Sequence, residues 1–178
     1  ISLTINLLQV SKDYRHVQVP FYRHVLTLSI PCVVLCLLLV TTLKLNIGSI
    51  VGLFLIVAAL KSIYVPFNRL IESLVRYERT YFIVMGVVHG LTNLGGSLLT
   101  AIIHSKQYDK DQTRATTAMS YGTFALFQLA TLGISLGPSA IATSDTALYM
   151  AVGVSMFLAT ELLLYSKMST ERYRTTFA

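Results

Sequence analysis

The chain has 178 residues, of which 54% are apolar and only 12% charged, and its mean hydropathy is +0.65. Soluble domains carry about 25% charged residues, so this composition argues against a soluble domain and excludes a disordered tail, a coiled coil and a nucleic-acid-binding module. Lys and Arg exceed Asp and Glu by 14 to 8, and these basic residues fall between apolar runs, where they set membrane topology.

The first apolar segments predict membrane helices. We interpret Ile1–Val10 as the end of a span whose beginning lies outside this sequence. Val25–Leu43 follows with 19 uncharged residues, which at about 1.5 Å per residue cross a hydrocarbon core of about 30 Å. We expect Pro31 to kink this helix and Ser29 to help satisfy the freed carbonyl.

The two cysteines, Cys32 and Cys36, lie four residues apart inside this run. Disulfide frameworks use cysteines in the loops of secreted chains, and a metal pair would need His or carboxylate ligands nearby. We therefore predict two small residues packed inside a membrane helix, and we predict no metal site and no cofactor.

The next segment combines a further span with an amphipathic stretch. Leu45–Leu60 is uncharged, and Gly48 and Gly52 give it a small-xxx-small face for close helix packing. Lys61–Thr80 places apolar residues at helical spacing opposite an Arg-rich face, which is typical of a helix lying in the lipid headgroup layer. Packing on a protein partner is the alternative for this stretch.

Three more apolar runs complete the chain. Tyr81–Ile103 is uncharged and is interrupted by a polar, glycine-rich segment, Thr92–Ser97. Ala115–Gly137 is also uncharged, and Thr146–Tyr165 contains a single charge, Glu161.

The positions of the basic residues predict the topology. If every run crosses, the 14 Lys and Arg residues divide equally between the two sides. If Tyr81–Ile103 instead enters and leaves on one side, 13 of them share that side and Lys44 alone faces the other. Cytoplasmic loops carry the excess of Lys and Arg, so we predict that Tyr81–Ile103 is re-entrant and that the basic side is cytoplasmic.

The re-entrant geometry fits the length of this run. Two arms of about 11 residues reach about 16 Å, near the midplane of the bilayer, and the chain would reverse at Thr92–Ser97. The alternative is a full-length helix in which Gly95 and Gly96 form a packing notch.

The order of elements repeats with opposite orientation. Ile1–Asn6 closes a span and Phe21–His24 leads into the next, whereas Thr116–Tyr121 opens a span and Pro138–Asp145 leads into the last. The predicted topology puts the two intervening loops on opposite sides, which is an inverted repeat and is typical of secondary transporters.

Two segments carry a resemblance to a known family: Gly90–Leu99 (GLTNLGGSLL) and Gln112–Thr117 (QTRATT). A glycine-rich membrane segment, a short polar loop and a threonine-containing helix start resemble the TauE/SafE sulfite exporter family, also called the toluene sulfonate uptake permeases. Leu53–Lys61 and Ser169–Arg174 also resemble the ends of its repeat units. The resemblance implies that this chain lacks the family's first glycine-rich segment and last span, and that it is a permease for sulfite, a sulfonate or a related anion.

A predicted anion site follows from the re-entrant segment. The helix after the break directs its free amides to the midplane, and neutral donors suit a small oxyanion. Alternatively, the hydroxyl groups only hydrogen-bond to their own helices. The candidate substrate-binding residues are Thr92, Asn93, Gly95, Gly96, Ser97, Thr100, Thr116, Thr117 and Ser120.

Two further residues are candidates for proton coupling. His89 precedes the break, where a titrating imidazole can carry a proton with the substrate, although a neutral helix contact is equally compatible. Glu161 is the only carboxylate within an apolar run, and it can instead pair with Lys167.

The sequence therefore predicts an all-α, polytopic protein of the cell membrane. We divide it into residues 1–60 (end of the first repeat), 61–80 (interfacial linker helix) and 81–178 (second repeat). We predict a secondary transporter rather than an enzyme, with the lipid bilayer and a small anion as partners and with homo-oligomers or a larger complex open. The alternative function is a non-transporting membrane subunit built on the same scaffold.

Overall fold

The computed structural model describes residues 1–43, 46–49, 51–52, 55–56, 76–137 and 146–163. The described chain is almost entirely helical and contains no strand, which confirms the all-α prediction for these residues. The prediction for Leu45–Leu60 lies half outside the described residues and that for Lys61–Thr80 largely outside them. The predictions for Pro138–Asp145 and for the basic C-terminal stretch lie wholly outside them.

The helices are numbered here along the described chain. Tyr14–His16 forms a 3-10 turn and Val25–Ser29 a π-helical turn. The α-helices are α1 (Ser2–Asp13), α2 (Val19–His24), α3 (Ile30–Leu43), α4 (Glu78–Thr92), α5 (Gly96–Ser105), α6 (Lys110–Leu136) and α7 (Thr146–Leu163).

Helix α2, the π turn and α3 form one rod of 25 residues, Val19–Leu43, that begins six residues before the predicted span. The π turn lies directly before Pro31, whose ring crowds the carbonyl four residues earlier and whose nitrogen cannot donate to it. We expected the Ser29 hydroxyl to help satisfy the carbonyl that Pro31 frees. Instead it donates to the Phe82 carbonyl of α4 at 2.8 Å.

Helix α6 also begins earlier than its apolar run because its N-terminus carries a capping box. The Asp109 carboxylate accepts from the Gln112 backbone N–H at 2.7 Å, and the Gln112 side chain accepts from the Asp109 N–H. The helix therefore starts at Lys110 and reaches Leu136, with a length of about 40 Å.

The helices surround α6. Tyr22 meets Thr123 through their hydroxyl groups at 2.9 Å, and the Gln18 N–H donates to Thr116 at 3.0 Å, so the Val19–Leu43 rod runs parallel to α6. Asn6 packs near Gly122 and Asp13 near Arg114, so α1 runs antiparallel to α6.

Charged residues gather where α1 and α5 end and where α2, α4 and α6 begin. Contacts between Glu78 and Lys106, and between Arg114, Asp13 and Glu161, join these termini. We call this the basic end of the bundle; its described basic residues include Lys12, Arg23, Arg79, Lys106 and Arg114.

The buried core lies between α2, α3, α4, α5 and α6 and includes Phe21, Val33, Phe82, Leu99 and Phe124. In the described part of the chain, three helices are long and apolar enough to cross a membrane: Val19–Leu43, Lys110–Leu136 and Thr146–Leu163. Large apolar side chains on their outer surfaces are exposed, which is compatible with a membrane protein.

Candidate functional site

Helices α4 and α5 form a hairpin within the predicted Tyr81–Ile103 run. The Tyr81 hydroxyl donates to the Leu98 carbonyl at 2.7 Å, and the Lys106 ammonium group lies 2.7 Å from the Glu78 carboxylate. These contacts bring the end of α5 back to the beginning of α4. The turn between the helices, Asn93–Gly95, is the hairpin tip and lies within the predicted Thr92–Ser97 segment.

The hairpin tip is held by local hydrogen bonds. The Thr92 hydroxyl donates to the Val88 carbonyl at 2.7 Å and accepts from the Leu94 N–H at 3.1 Å, so it satisfies backbone groups on both sides of the break. Asn93 takes the left-handed conformation, with φ of 58°, which asparagine tolerates better than most residues. The reversal therefore uses Asn93 rather than a glycine for its positive φ.

Glycine is nevertheless required beside the tip for close packing. A Cβ atom on Gly95 would lie 2.5 Å from the His89 Cβ, and one on Gly96 would overlap the Tyr121 hydroxyl. Tyr121 comes from α6, and its hydroxyl lies close to the side chain of Thr100. These two glycines thus let the start of α5 approach both α4 and α6.

Three polar side chains meet at the hairpin tip and form what we call the tip cluster: His89, Asn93 and Gln128. The Gln128 amide donates to the Asn93 side-chain oxygen at 3.1 Å. The His89 side chain is 3% exposed and packs against the Phe124 ring at 4.4 Å between centroids. Neither His89 ring nitrogen has a hydrogen-bond partner of ordinary geometry among the described residues, although the Gln128 amide is close enough to interact with the ring.

The tip cluster lies between two cavities. One has a volume of about 310 Å³ and lies against α3; its lining includes Leu37, Val40, His89, Thr92, Asn93 and Gln128. The other, of about 320 Å³, lies toward the start of α1 and shares Leu37, Asn93 and Gln128 with the first. The described linings of both cavities contain neutral polar groups and apolar side chains but no carboxylate, Lys or Arg.

The structure brings only part of the predicted anion site together. Thr92, Asn93, Gly95 and Gly96 lie at or beside the tip, and Thr100 lies one turn beyond it, where its hydroxyl donates to the Gly96 carbonyl at 2.9 Å. Ser97 is exposed and lines neither cavity.

The α6 residues of the predicted site lie elsewhere. Thr116 accepts from the Gln18 N–H at 3.0 Å, whereas Thr117 and Ser120 donate to carbonyls of their own helix. These three residues precede Gln128 by 8 to 12 positions, or about 12–18 Å along the helix, and line neither cavity.

Glu161 lies in an ion-pair cluster at the basic end. Its carboxylate contacts the Arg114 guanidinium at 2.6 Å and the Lys12 ammonium at 2.5 Å, and Arg114 also faces Asp13 at 3.5 Å. This is far from the tip cluster along α6, and Lys167, the partner that the sequence suggested, lies outside the described residues.

Sequence reasoning missed Gln128 and Tyr121. Gln128 is a strongly polar residue inside the uncharged run Ala115–Gly137, and that contrast was a usable signal for a buried contact or a site. Tyr121 gives no such signal. Its hydroxyl occupies the space that a side chain at position 96 would need, and the sequence does not show that these two residues are neighbours.

No family model, no characterised protein and no solved structure matched this chain.

Proposed function

We propose that this protein is a secondary transporter that moves a small anion, such as sulfite, a sulfonate or another organic anion, across the cell membrane. The observation that supports it most is the hairpin, whose tip carries His89, Asn93 and Gln128 between two open cavities of a bundle of apolar helices. Broken helices that end within the bilayer, next to a cavity, are the usual substrate sites of such transporters.

The proposal treats the hairpin as re-entrant. Its two ends meet at the basic end through Glu78 and Lys106, and the 13-to-1 distribution of Lys and Arg favours the same arrangement. Helix α4 is about 22 Å long beside an α6 of about 40 Å, which supports a tip part-way along α6 rather than at its far end. We propose the inverted repeat as part of this function. The division of the chain into residues 1–60, 61–80 and 81–178 stays a prediction.

An anion is the favoured substrate because of the donors near the tip. Helix α5 begins at Gly96, beside the tip but outside the linings of both cavities, and the positive end of its dipole favours an anion near the tip. The Gln128 amide and an imidazole N–H of His89 add neutral donors. Neutral donors can bind an oxyanion without holding it as tightly as a fixed cation would.

His89 is our candidate for proton coupling. It is buried beside the proposed substrate position and has ring nitrogens free of ordinary hydrogen bonds among the described residues. Glu161 fits this role less well because Lys12 and Arg114 already neutralise its carboxylate.

Uptake into proteoliposomes tests the proposal. The full-length protein is reconstituted and supplied with sulfite, alkyl and aryl sulfonates, and carboxylates, with and without a pH gradient. We expect saturable uptake of at least one anion, and Gln128→Leu should reduce it tenfold or more while Ser97→Ala, a hydroxyl outside both cavities, leaves it near the parent rate.

Two results would contradict the proposal. Uptake no faster than in protein-free liposomes for every anion would favour the non-transporting subunit. Uptake that Gln128→Leu leaves unchanged would place the substrate site away from the tip cluster.

A further inference from the structure

A third cavity, of about 420 Å³, lies at the basic end between α2 and α4. The residues that line it are Pro20, Arg23, His24, Thr27, Leu28 and Arg79. It is at the opposite end of the hairpin from the tip cluster and shares no residue with the two cavities there.

The charge in this cavity is positive and is not balanced by its neighbours. Glu78 is the adjacent carboxylate, but it pairs with Lys106 at 2.7 Å and contacts the His24 ring at 3.5 Å. The Arg23 and Arg79 side chains are exposed, and within the described residues neither forms an ion pair. Two guanidinium groups from different helices therefore face one cavity without an acidic partner among the residues described.

The surroundings of the cavity include an aromatic stack and change from polar to apolar over one helical turn. The His24 ring stacks on Phe82 with 5.5 Å between centroids, which fixes the wall that Glu78 also contacts. Beyond the arginines the chain is uncharged, and Leu26 and Ile83, one turn further along each helix, are exposed. In a bilayer such a boundary lies where the lipid phosphates meet the acyl chains.

We propose that this cavity binds the phosphate of an anionic phospholipid, with the acyl chains lying along Leu26 and Ile83. A guanidinium group matches a phosphate with two parallel hydrogen bonds, and two of them can hold separate oxygens of one phosphate or two phosphates of one lipid. A zwitterionic headgroup would bring its own ammonium group toward two guanidinium groups that form no ion pair within the described residues, and it is disfavoured. Basic pockets between membrane helices on the cytoplasmic side recognise such lipids.

The experiment measures lipid binding to the full-length protein in mild detergent, independently of any transport. Cardiolipin or phosphatidylglycerol is titrated while native mass spectrometry counts bound lipid and thermal unfolding reports stabilisation. We expect about fivefold weaker binding for Arg23→Gln or Arg79→Gln and about 25-fold weaker binding for the double variant. Arg15→Gln is the matched control, because Arg15 is exposed at the same end but contacts Tyr14 outside the cavity.

The other probes separate the lipid from free phosphate and from unspecific charge effects. Phosphatidylcholine and inorganic phosphate at equal phosphate concentration should give no saturable stabilisation. Saturable stabilisation by inorganic phosphate alone would make this a site for free phosphate and overturn the proposal. Equal loss of lipid binding in Arg15→Gln, or full binding in the double variant, would overturn it as well.

Discussion

Arg114 lies in the second turn of the central helix α6 with its side chain 6% exposed, between the carboxylates of Asp13 and Glu161. Lys12 reaches the same Glu161 from the surface, and the Gln9 amide donates to the Arg114 carbonyl. The cluster joins α1, α6 and α7 at the basic end. None of the residues of α7 is buried, and this cluster and the close approach of Gly153 to Ile1 are among the contacts that join α7 to the bundle.

Removing the buried guanidinium should be far more costly than removing the exposed ammonium. We expect Arg114→Gln to lower the free energy of unfolding by about 3 kcal/mol or more, because Asp13 and Glu161 would remain partly buried without their cation. Lys12→Gln should cost less than about 1 kcal/mol, since the Lys12 side chain is 62% exposed. Denaturant unfolding in detergent measures both, and equal losses would show that burial does not decide the strength of this cluster.

Asn93 combines a backbone role with a contact in the tip cluster, and two substitutions separate these roles. Asn93→Gly keeps the left-handed conformation but removes the oxygen that accepts from Gln128, so we expect near-parental stability and reduced anion uptake. Asn93→Val puts a β-branched residue at φ of 58° and should cost about 1–3 kcal/mol. Thermal unfolding and uptake are compared; a Val variant as stable as the Gly variant would argue against the observed tip conformation.

At the scale of whole elements, α3 and α4 are in direct backbone contact through Gly86 and Gly90. A Cβ atom on Gly86 would lie 2.5 Å from the Ser29 carbonyl oxygen, and one on Gly90 would lie 2.8 Å from that of Val33. Cys36 packs on Gly90, and both cysteines are free, in line with the prediction of small packed residues. The spacing of the two glycines is the small-xxx-small pattern of membrane helix pairs, here in a parallel pair.

This contact should not tolerate side chains on α4. We expect Gly86→Val to destabilise the protein by about 1–3 kcal/mol or more, because a fixed backbone carbonyl cannot move aside as a side chain can. Gly122→Ala is the control: its Cβ would lie 3.4 Å from the Asn6 Cβ, and alanine favours the helix. Size-exclusion profiles and thermal unfolding distinguish the two, and a Val variant with parental stability would contradict the close approach.

The sequence predicted features that depend on neighbouring residues, but not contacts between residues far apart in the chain. Periodicity and charge gaps located the apolar helices and the break at Thr92–Ser97, because both are local properties. The same small-xxx-small spacing was noticed at Gly48 and Gly52 but missed at Gly86 and Gly90, since it does not say which face meets a neighbour. The pairing of Asn93 with Gln128, and of Arg114 with Glu161, joins residues more than 30 positions apart and could not be predicted without the fold.

At the scale of the whole molecule, the ion pairs and the uncharged tip cluster lie in opposite regions of the described bundle. Among the described residues, ion pairs lie at the basic end, whereas the tip cluster between the two other cavities is uncharged. This separation is expected in a bilayer, because charged groups cost less free energy near the headgroups than near the midplane. The proposed lipid site and the proposed anion site fit this order: the first uses two fixed cations at the boundary, and the second uses neutral donors at depth.

Accessibility from the two sides of the membrane tests this arrangement of the whole molecule. Tyr77 and Ser105 are exposed at the two ends of the hairpin, and Leu136 is exposed at the far end of α6. In a background of Cys32→Ala and Cys36→Ala, we expect a membrane-impermeant maleimide to label Tyr77→Cys and Ser105→Cys from the same, cytoplasmic side and Leu136→Cys from the other. We expect both hairpin ends on one side because Glu78 contacts Lys106, and in the predicted topology 13 of the 14 Lys and Arg residues share that side. Labelling of Tyr77→Cys and Ser105→Cys from opposite sides would require α4 and α5 to cross the bilayer as one helix, and the hairpin would then not describe the protein in its membrane.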